Sequence, residues 1–305
     1  MESFDPVTPQ GLSISNLFVL ELVISGLLMA LVSIWLGVSL VRFRARPGDA
    51  TEPPQVHGNR ALEMIWTLTP ALVLAVVFVL VIQTMGYVDA AAPGAQTLRV
   101  VGHQWWWEYD YPNAQVVTAN ELHVPVGAPL QIDLQSIDVI HSFHVPQFGW
   151  MQDTVPGKSN QMSVLVNRPG VYDGACNQYC GLQHAWMRIR VVAEPADAFA
   201  AWVSAQSQSV VPAGARGEQV FVQNTCVACH TIRGLPGATG AVGPDLTHFA
   251  SRTTIGTGVV DNSAAHLAQW IRDPQALKPG VLMPAFQNLS AADLTALVDY
   301  LESLQ

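Results

Sequence analysis

Two long apolar runs near the start limit the folds open to this chain more than any other feature. From Leu12 to Val41 only Ser, Gly, Asn16 and Glu21 interrupt the apolar side chains, and a second run extends from about Ile65 to Val88. About 20 apolar residues in a helix cross a bilayer, so each run is long enough to span one with some tilt. Arg42, Arg44 and Arg46 follow the first run at once, Arg60 lies further along the same loop, and residues 1–11 contain no Lys or Arg. Without a charged n-region the start does not read as a secretory signal. Cationic loops favour the cytoplasmic side, which puts the 42–60 loop in the cytoplasm and both termini outside. The expectation is a transmembrane hairpin over residues 1–94, with helices at about 12–41 and 65–88, that carries everything after Asp89 on the outer face. Glu63 sits where the second span enters the membrane. An ionisable group there is a functional candidate, or a side chain that snorkels into interfacial water.

The spans account for a composition that is 50% hydrophobic and only 12% charged. The net charge of −9 argues against a nucleic-acid partner, which requires a basic face. Residues 89–204 hold most of the excess, with 10 acidic against 5 basic side chains. That distribution suits a cationic docking partner, or is simply a solvated acidic surface.

Residues 95–194 change character. Thr97–Val101, Val116–Val117, Leu130–Leu134 and Met162–Val166 are alternating and β-branched, with Gly, Pro, Asn or Asp between them. Such spacing predicts a sandwich or small barrel of short strands. Within it, Cys176 to Met187 reads C-N-Q-Y-C-G-L-Q-H-A-W-M and places Cys176, Cys180, His184 and Met187 in the spacing C-x3-C-x3-H-x2-M. Thiolate, imidazole and thioether suit copper rather than a hard cation. A mononuclear blue-copper site uses one Cys, so the doubled thiol predicts two bridged coppers, with His141 of D-V-I-H-S-F as the second imidazole. A Cys176–Cys180 disulfide or a zinc site of two Cys and two His is the plainer alternative, but neither uses Met187. A metal loop between two late strands, the second ending in Arg188–Val192, is a cupredoxin-like Greek-key β-barrel arrangement. Asp138, three residues before His141, is the candidate to orient that imidazole. The run Gly102 to Tyr111 contains five aromatic residues in seven, from Trp105 to Tyr111. Exposed, these rings form a landing surface for a partner; buried, they fill the barrel, as expected for two of the three Trp.

Residues 195–215 read as a short helix followed by a Ser/Pro/Gly linker. Beyond them, Cys226-Val-Ala-Cys229-His230 is the C-x-x-C-H signature of covalent haem c attachment, with His230 as axial ligand. Met283, the only Met in residues 216–305, is the expected second axial ligand. Gly243-Pro244-Asp245-Leu246 is placed to shield the proximal His. Ser290-x-x-Asp293 is a capping box for a last helix whose stripe is Leu294, Leu297, Val298 and Leu301. The two motifs absorb all four cysteines.

The hairpin, Glu63 before Trp66-Thr67, the aromatic run, D-V-I-H-S-F, the copper loop and C-x-x-C-H together resemble subunit II of the haem–copper cytochrome c oxidases, in the variety with a cytochrome c domain fused to its C-terminus. The likeness covers nearly the whole chain. It implies a multidomain membrane protein: a two-helix transmembrane hairpin, a cupredoxin-like copper domain and an all-α class I cytochrome c domain at 216–305. It implies a dinuclear copper centre (CuA) held by His141, Cys176, Cys180, His184, Met187 and the backbone carbonyl of Gln178. Trp105 matches the family's electron-accepting aromatic, and Glu63 a carboxylate at the mouth of a proton channel whose remainder lies in subunit I. The implied partners are subunit I and other oxidase subunits, cytochrome c or a similar donor, and membrane lipid. The implied location is a bacterial inner membrane, with both redox domains on the periplasmic side. Three positions depart from the family: Gln178 replaces a Glu that also binds magnesium, His144 replaces a Trp, and Lys158 stands where Arg is common. A membrane-anchored haem and copper carrier that works outside an oxidase is the rival reading, and it has no use for a proton-channel carboxylate at Glu63. A quinol oxidase subunit lacks the copper ligands, and nitrous-oxide reductase needs a propeller domain absent here.

Overall fold

The computed structural model describes residues 4–44, 48, 55, 57–209 and 216–305. Arg46 of the cationic loop and residues 210–215 of the expected linker lie outside the described residues. The chain forms two bodies, residues 12–90 and residues 4–11 together with 91–305.

The first body is built from α1 (Pro9–Arg42) and α2 (Arg60–Val88). Each begins earlier than the apolar runs at Leu12 and about Ile65 indicate. Hydropathy marks the lipid-facing part of a helix, whereas capping marks its end. For α2 the cap is Asn59, whose side chain accepts from Ala61 N at 3.0 Å and Leu62 N at 3.4 Å. This draws residues 60–64 into the helix and puts Glu63 in its first turn, where the helix dipole favours a carboxylate. With 34 and 29 residues, the helices are about 50 and 43 Å long at 1.5 Å per residue, more than the roughly 30 Å of a bilayer core. Leu27, Trp35, Leu72 and Phe78 are among many large apolar side chains that the helices leave exposed, as a lipid-facing surface requires.

The second body contains a β-sandwich: β1 (Gln96–His103), β2 (Trp106–Tyr111), β3 (Val116–Ala119), β4 (Glu121–Pro125), β5 (Pro129–Ser136), β6 (His141–His144), β7 (Met151–Thr154), β8 (Asn160–Leu165), β9 (Gly170–Cys176) and β10 (Arg188–Glu194). The expected Greek-key barrel resolves as two five-stranded sheets, ordered β3-β2-β1-β5-β8 and β4-β10-β9-β6-β7. The β1–β5 and β4–β10 pairs are parallel and the others antiparallel. Inward-facing residues of both sheets, among them Trp107, Tyr109, Ile132, Phe143 and Ile189, form one core. The N-terminal segment is stitched to this sandwich. Val7 N donates to Gln147 O at 2.9 Å, Asn167 N donates to Val7 O at 2.8 Å, and the Val7 side chain joins the core.

α3 (Ala196–Gln206) is the helix expected at the start of the linker, but it is not free of the domain before it. Phe199 enters the sandwich core, and Trp202 stacks on His123 with ring centroids 4.2 Å apart. The sandwich domain therefore continues past residue 194. The remaining elements are α4 (Arg216–Gln223), a small hairpin of β11 (Thr254–Ile255) and β12 (Val260–Asp261), α5 (Ala264–Arg272), α6 (Pro274–Leu277) and α7 (Ala291–Glu302). The capping box forms at α7, where Ser290 Oγ accepts from Asp293 N at 3.1 Å. The helix's stripe of Leu294, Leu297, Val298 and Leu301 packs in a second core with Phe221 of α4 and Leu267 of α5.

Candidate copper and haem sites

The copper loop is the connection between β9 and β10, and strand pairing fixes both of its ends. Cys176 N donates to Met187 O at 2.9 Å, and Cys176 pairs with Phe143 of β6. That pairing brings His141, at the head of β6, to the thiols. The ligand atoms of His141, Cys176 and Cys180 all lie within 4.8 Å of one another. The remaining expected donors gather around the same pair. Cys180 Sγ is 3.6 Å from His184 Nδ1 and 3.9 Å from Met187 Sδ, and Cys176 Sγ is 3.3 Å from the Gln178 carbonyl oxygen. The two thiols stand 3.8 Å apart as free cysteines. Two thiols, two imidazoles and a thioether in one cluster fit copper, and the fifth donor exceeds what a four-coordinate zinc site uses.

His141 is fully buried, and its two nitrogens are differentiated by their neighbours. Nε2 lies 2.8 Å from Asp138 Oδ1, which leaves Nδ1, 3.9 Å from Cys176 Sγ, facing the thiols. Burial raises the Asp138 carboxyl. Hydrogen bonds from His141 and from the backbone N–H groups of Val139 and Gln104 outweigh that and hold it below the ordinary carboxylate range. Within the thiol pair, a hydrogen bond from Cys180 stabilises the Cys176 thiolate and pulls its pKa down, while the same bond holds the Cys180 proton on. The pair thus holds one proton between its two sulfurs.

Backbone approaches that only glycine allows complete the cage. A Cβ on Gly102 of β1 would sit 2.7 Å from the His141 ring, and one on Gly181, at φ +114°, would sit 2.9 Å from the Trp105 indole. Trp105 itself lies at the β1–β2 turn. Its indole N–H donates to the Cys180 carbonyl at 2.9 Å, and the Gln104 side-chain amide donates to the same oxygen at 2.7 Å. Trp106 and Trp107 are buried, Trp107 completely.

The second site is a cavity of about 280 Å³ whose wall includes Cys226, Cys229, His230 and Met283. His230 Nδ1 lies 2.8 Å from the Pro244 carbonyl, which fixes the ring as a donor there and leaves Nε2 as a free lone pair. Burial keeps this imidazole neutral by lowering its pKa. A Cβ on Gly243 would fall 2.5 Å from the ring, so the Gly243-Pro244 segment lies directly against it. Arg252, 9% exposed, lines the cavity with a buried Nε that has no hydrogen-bond partner. Paired thiols, an imidazole with its outer nitrogen free, a thioether and an orphaned guanidinium nitrogen fit a haem with its acidic side chains.

Three segments of the chain match described families. Residues 4–84 match the cytochrome c oxidase subunit II transmembrane domain, residues 114–194 its periplasmic domain, and residues 214–305 cytochrome c. Cytochrome c oxidase subunit 2 of Alkalihalophilus pseudofirmus is 37% identical over 316 residues, which span 100% of this chain and 91% of the relative. The chain belongs to the cytochrome c oxidase subunit II family. Subunit 2 of Bacillus subtilis is 30% identical over 87% of this chain and 81% of its own length. A crystal structure of the periplasmic domain of subunit II from Bradyrhizobium japonicum overlaps 39% of this chain and 96% of that domain, with 30% identity and a TM-score of 0.37. As a subunit II, the chain is a membrane-anchored part of an oxidoreductase that associates with other oxidase subunits. Its domains imply a copper centre and a haem.

The departures from the family pattern now have positions. Successive residues of β6 alternate faces: His141 and Phe143 point to Trp107, with ring centroids 5.9 and 5.6 Å away, so His144 lies on the opposite face from the donors. Gln178 keeps its carbonyl at the thiols and sends its amide toward Asp153 Oδ2 at 3.5 Å, while Lys158 is exposed.

Sequence reasoning missed the interface that joins the two sites of this subunit II. Glu121, 2% exposed on β4, accepts from Thr253 N at 3.0 Å, Thr253 Oγ1 at 2.6 Å and Thr254 Oγ1 at 2.9 Å. Gln183 of the copper loop donates to the Pro279 carbonyl at 2.9 Å, and Arg188 to the Gly258 carbonyl at 2.9 Å. Lys278 reaches back to the Trp105 carbonyl at 3.1 Å. Trp105, Asn120 and Gln183 of the sandwich form part of the haem cavity's wall. No spacing motif could have marked these residues, because each is a lone polar side chain whose partner is 70 or more positions away.

Proposed function

We propose that this chain is the subunit through which a proton-translocating terminal oxidase of the bacterial inner membrane takes electrons from an external carrier. Cytochrome c or a similar protein is that carrier in this reading. Covalently bound haem c and a dinuclear copper centre, when present, supply reversible one-electron chemistry. Cys226 and Cys229 would hold the haem by thioether bonds, with His230 and Met283 as its axial groups. His141, Cys176, Cys180, His184, Met187 and the Gln178 carbonyl would hold the copper pair.

The observation that carries the reading is Trp105. Its indole is hydrogen-bonded to the backbone of a copper-loop cysteine, its carbonyl is hydrogen-bonded to the cytochrome domain, and it forms part of the haem cavity's wall. One side chain thus touches both candidate sites. β9 and β10 hold the copper loop at both ends, so its donors change position little when charge arrives, and Asp138 fixes the His141 tautomer. Trp107, Tyr109 and Tyr111 fill the sandwich core, and Trp105 lies against the chain's own cytochrome domain, so in this reading an external donor meets that domain first. Residues 4–11 pack with residues 91–305, which supports both termini lying on the outer, periplasmic side. Glu63, in the first turn of α2, suits a proton-accepting carboxylate at the cytoplasmic face.

Trp105→Phe keeps a ring and removes the indole N–H from Cys180 O. In the assembled oxidase, we expect unchanged copper and haem contents with slower copper reduction after rapid reduction of the haem. A wild-type rate would remove Trp105 from the path. Absence of copper or of covalent haem from the purified complex would overturn the reading as a whole.

A further inference from the structure

The wall of the cavity holds a cation, Lys278, with no carboxylate beside it among the described lining residues. Lys278, 2% exposed, donates to the Thr257 hydroxyl at 2.7 Å and to the Trp105 carbonyl at 3.1 Å, both neutral acceptors. An ammonium has three donors, so one is left over among the described contacts. Among the described residues that line the cavity there is no Asp or Glu, whereas Arg252 and His230 share the wall with Lys278. Arg188 repels the ammonium. An uncompensated buried cation is costly. Burial, helped by repulsion from Arg188, pushes this ammonium down to about 7.

We propose that Lys278 pairs with a carboxylate of the cavity's occupant, a propionate of the haem, so that one ammonium joins the cofactor, the cytochrome fold and the Trp105 carbonyl of the copper domain. The inference rests on the haem reading above. It gives the buried Lys a counter-charge that the described residues of the cavity wall do not supply, and it makes docking of the two domains depend on the cofactor's acidic edge. The pair also keeps the propionate ionised, since a nearby cation lowers a carboxyl pKa and desolvation without one raises it.

The test is an optical redox titration of the haem in the full-length, haem-loaded chain over a series of pH values, with Lys278→Met and Lys278→Arg beside the wild type. The wild-type midpoint potential is expected to be flat through the neutral range. In Lys278→Met the buried propionate loses its partner and titrates there, so the potential falls as the pH rises, and Lys278→Arg restores the flat profile. A wild-type potential that titrates near neutrality and becomes flat in Lys278→Met would mean an unpaired ammonium and overturn the proposal, as would coincident profiles. Should Lys278→Met fail to hold haem, the redox difference infrared spectrum of haem labelled with carbon-13 in its propionates decides between wild type and Lys278→Arg. A shifted carboxylate band supports the pair and an unmoved band overturns it. Absence of covalent haem from the wild type would overturn the haem reading and the proposal together, whereas haem present with coincident profiles overturns the Lys278 pair alone.

Discussion

Replacing Glu121 by Ala should release the cytochrome domain from the copper domain. The buried carboxylate receives the Thr253 N–H and the hydroxyls of Thr253 and Thr254, all from across the interface. Hydrogen bonds contribute about 1 kcal/mol net each, and more to a charged acceptor, while the groups left unpaired are penalised. Three such bonds amount to about 3 kcal/mol of docking free energy, part of which water returns to the donors when the domains separate. At tenfold per 1.4 kcal/mol, 3 kcal/mol raises the undocked population about 150-fold. The chain supplies its own reporter. It has two lysines, Lys158 exposed and Lys278 buried at the interface. Acetylation at limiting reagent, read by mass spectrometry, gives the Lys278 rate relative to Lys158 in the same molecule. The ratio should be small in the wild type, about two orders of magnitude higher in Glu121→Ala, and intermediate in Glu121→Gln, which keeps an acceptor oxygen. Equal reactivity of the two lysines in the wild type, or an unchanged ratio in Glu121→Ala, would refute the docked interface.

Three further substitutions have distinct expected outcomes. Asp138→Asn should weaken copper binding about 10- to 100-fold in a chelator competition, because the imidazole loses its charged orienting partner. Since the Asp138 pKa is lowered on folding, its stabilisation is present above the ordinary carboxylate value near 4 and is lost as the pH falls through the folded value. Metal-free Asp138→Asn should therefore be less stable at neutral pH, with a shallower decline in acid. Met187→Leu should retain copper but shift its potential, as a weak axial thioether tunes more than it holds; an unmoved potential would remove Met187 from the ligand set. Glu63→Gln should slow oxygen consumption of the assembled oxidase at least about tenfold with normal metal content, and a wild-type rate would make Glu63 an interfacial residue only.

What the sequence made legible, and what it did not, divides along the range of the interactions. The membrane spans, the copper loop and the haem motif are local: each lies in a run of residues or a fixed spacing, and the structure brings Cys176, Cys180, His184 and Met187 together as that spacing implies. Even His141, 35 positions from Cys176, was marked by its own D-V-I-H-S-F context, and the three-residue offset to Asp138 was short enough to read. Hydropathy places the start of α2 too late because Asn59 caps by hydrogen bonding, which hydropathy does not register. In the sequence α3 reads as the start of a linker, because the ring stack that anchors it, Trp202 on His123, links residues 79 apart. Lys278 and Glu121 are single charges in unremarkable contexts, and their role exists only once two domains meet.

Two coppers held in one electronic unit are the core of the proposed function. Electron paramagnetic resonance of the copper-loaded full-length chain tests it most directly. The expected result is hyperfine structure from one unpaired electron shared equally by two copper nuclei. Hyperfine structure from a single copper nucleus would contradict it, as would a copper-silent protein that contains zinc.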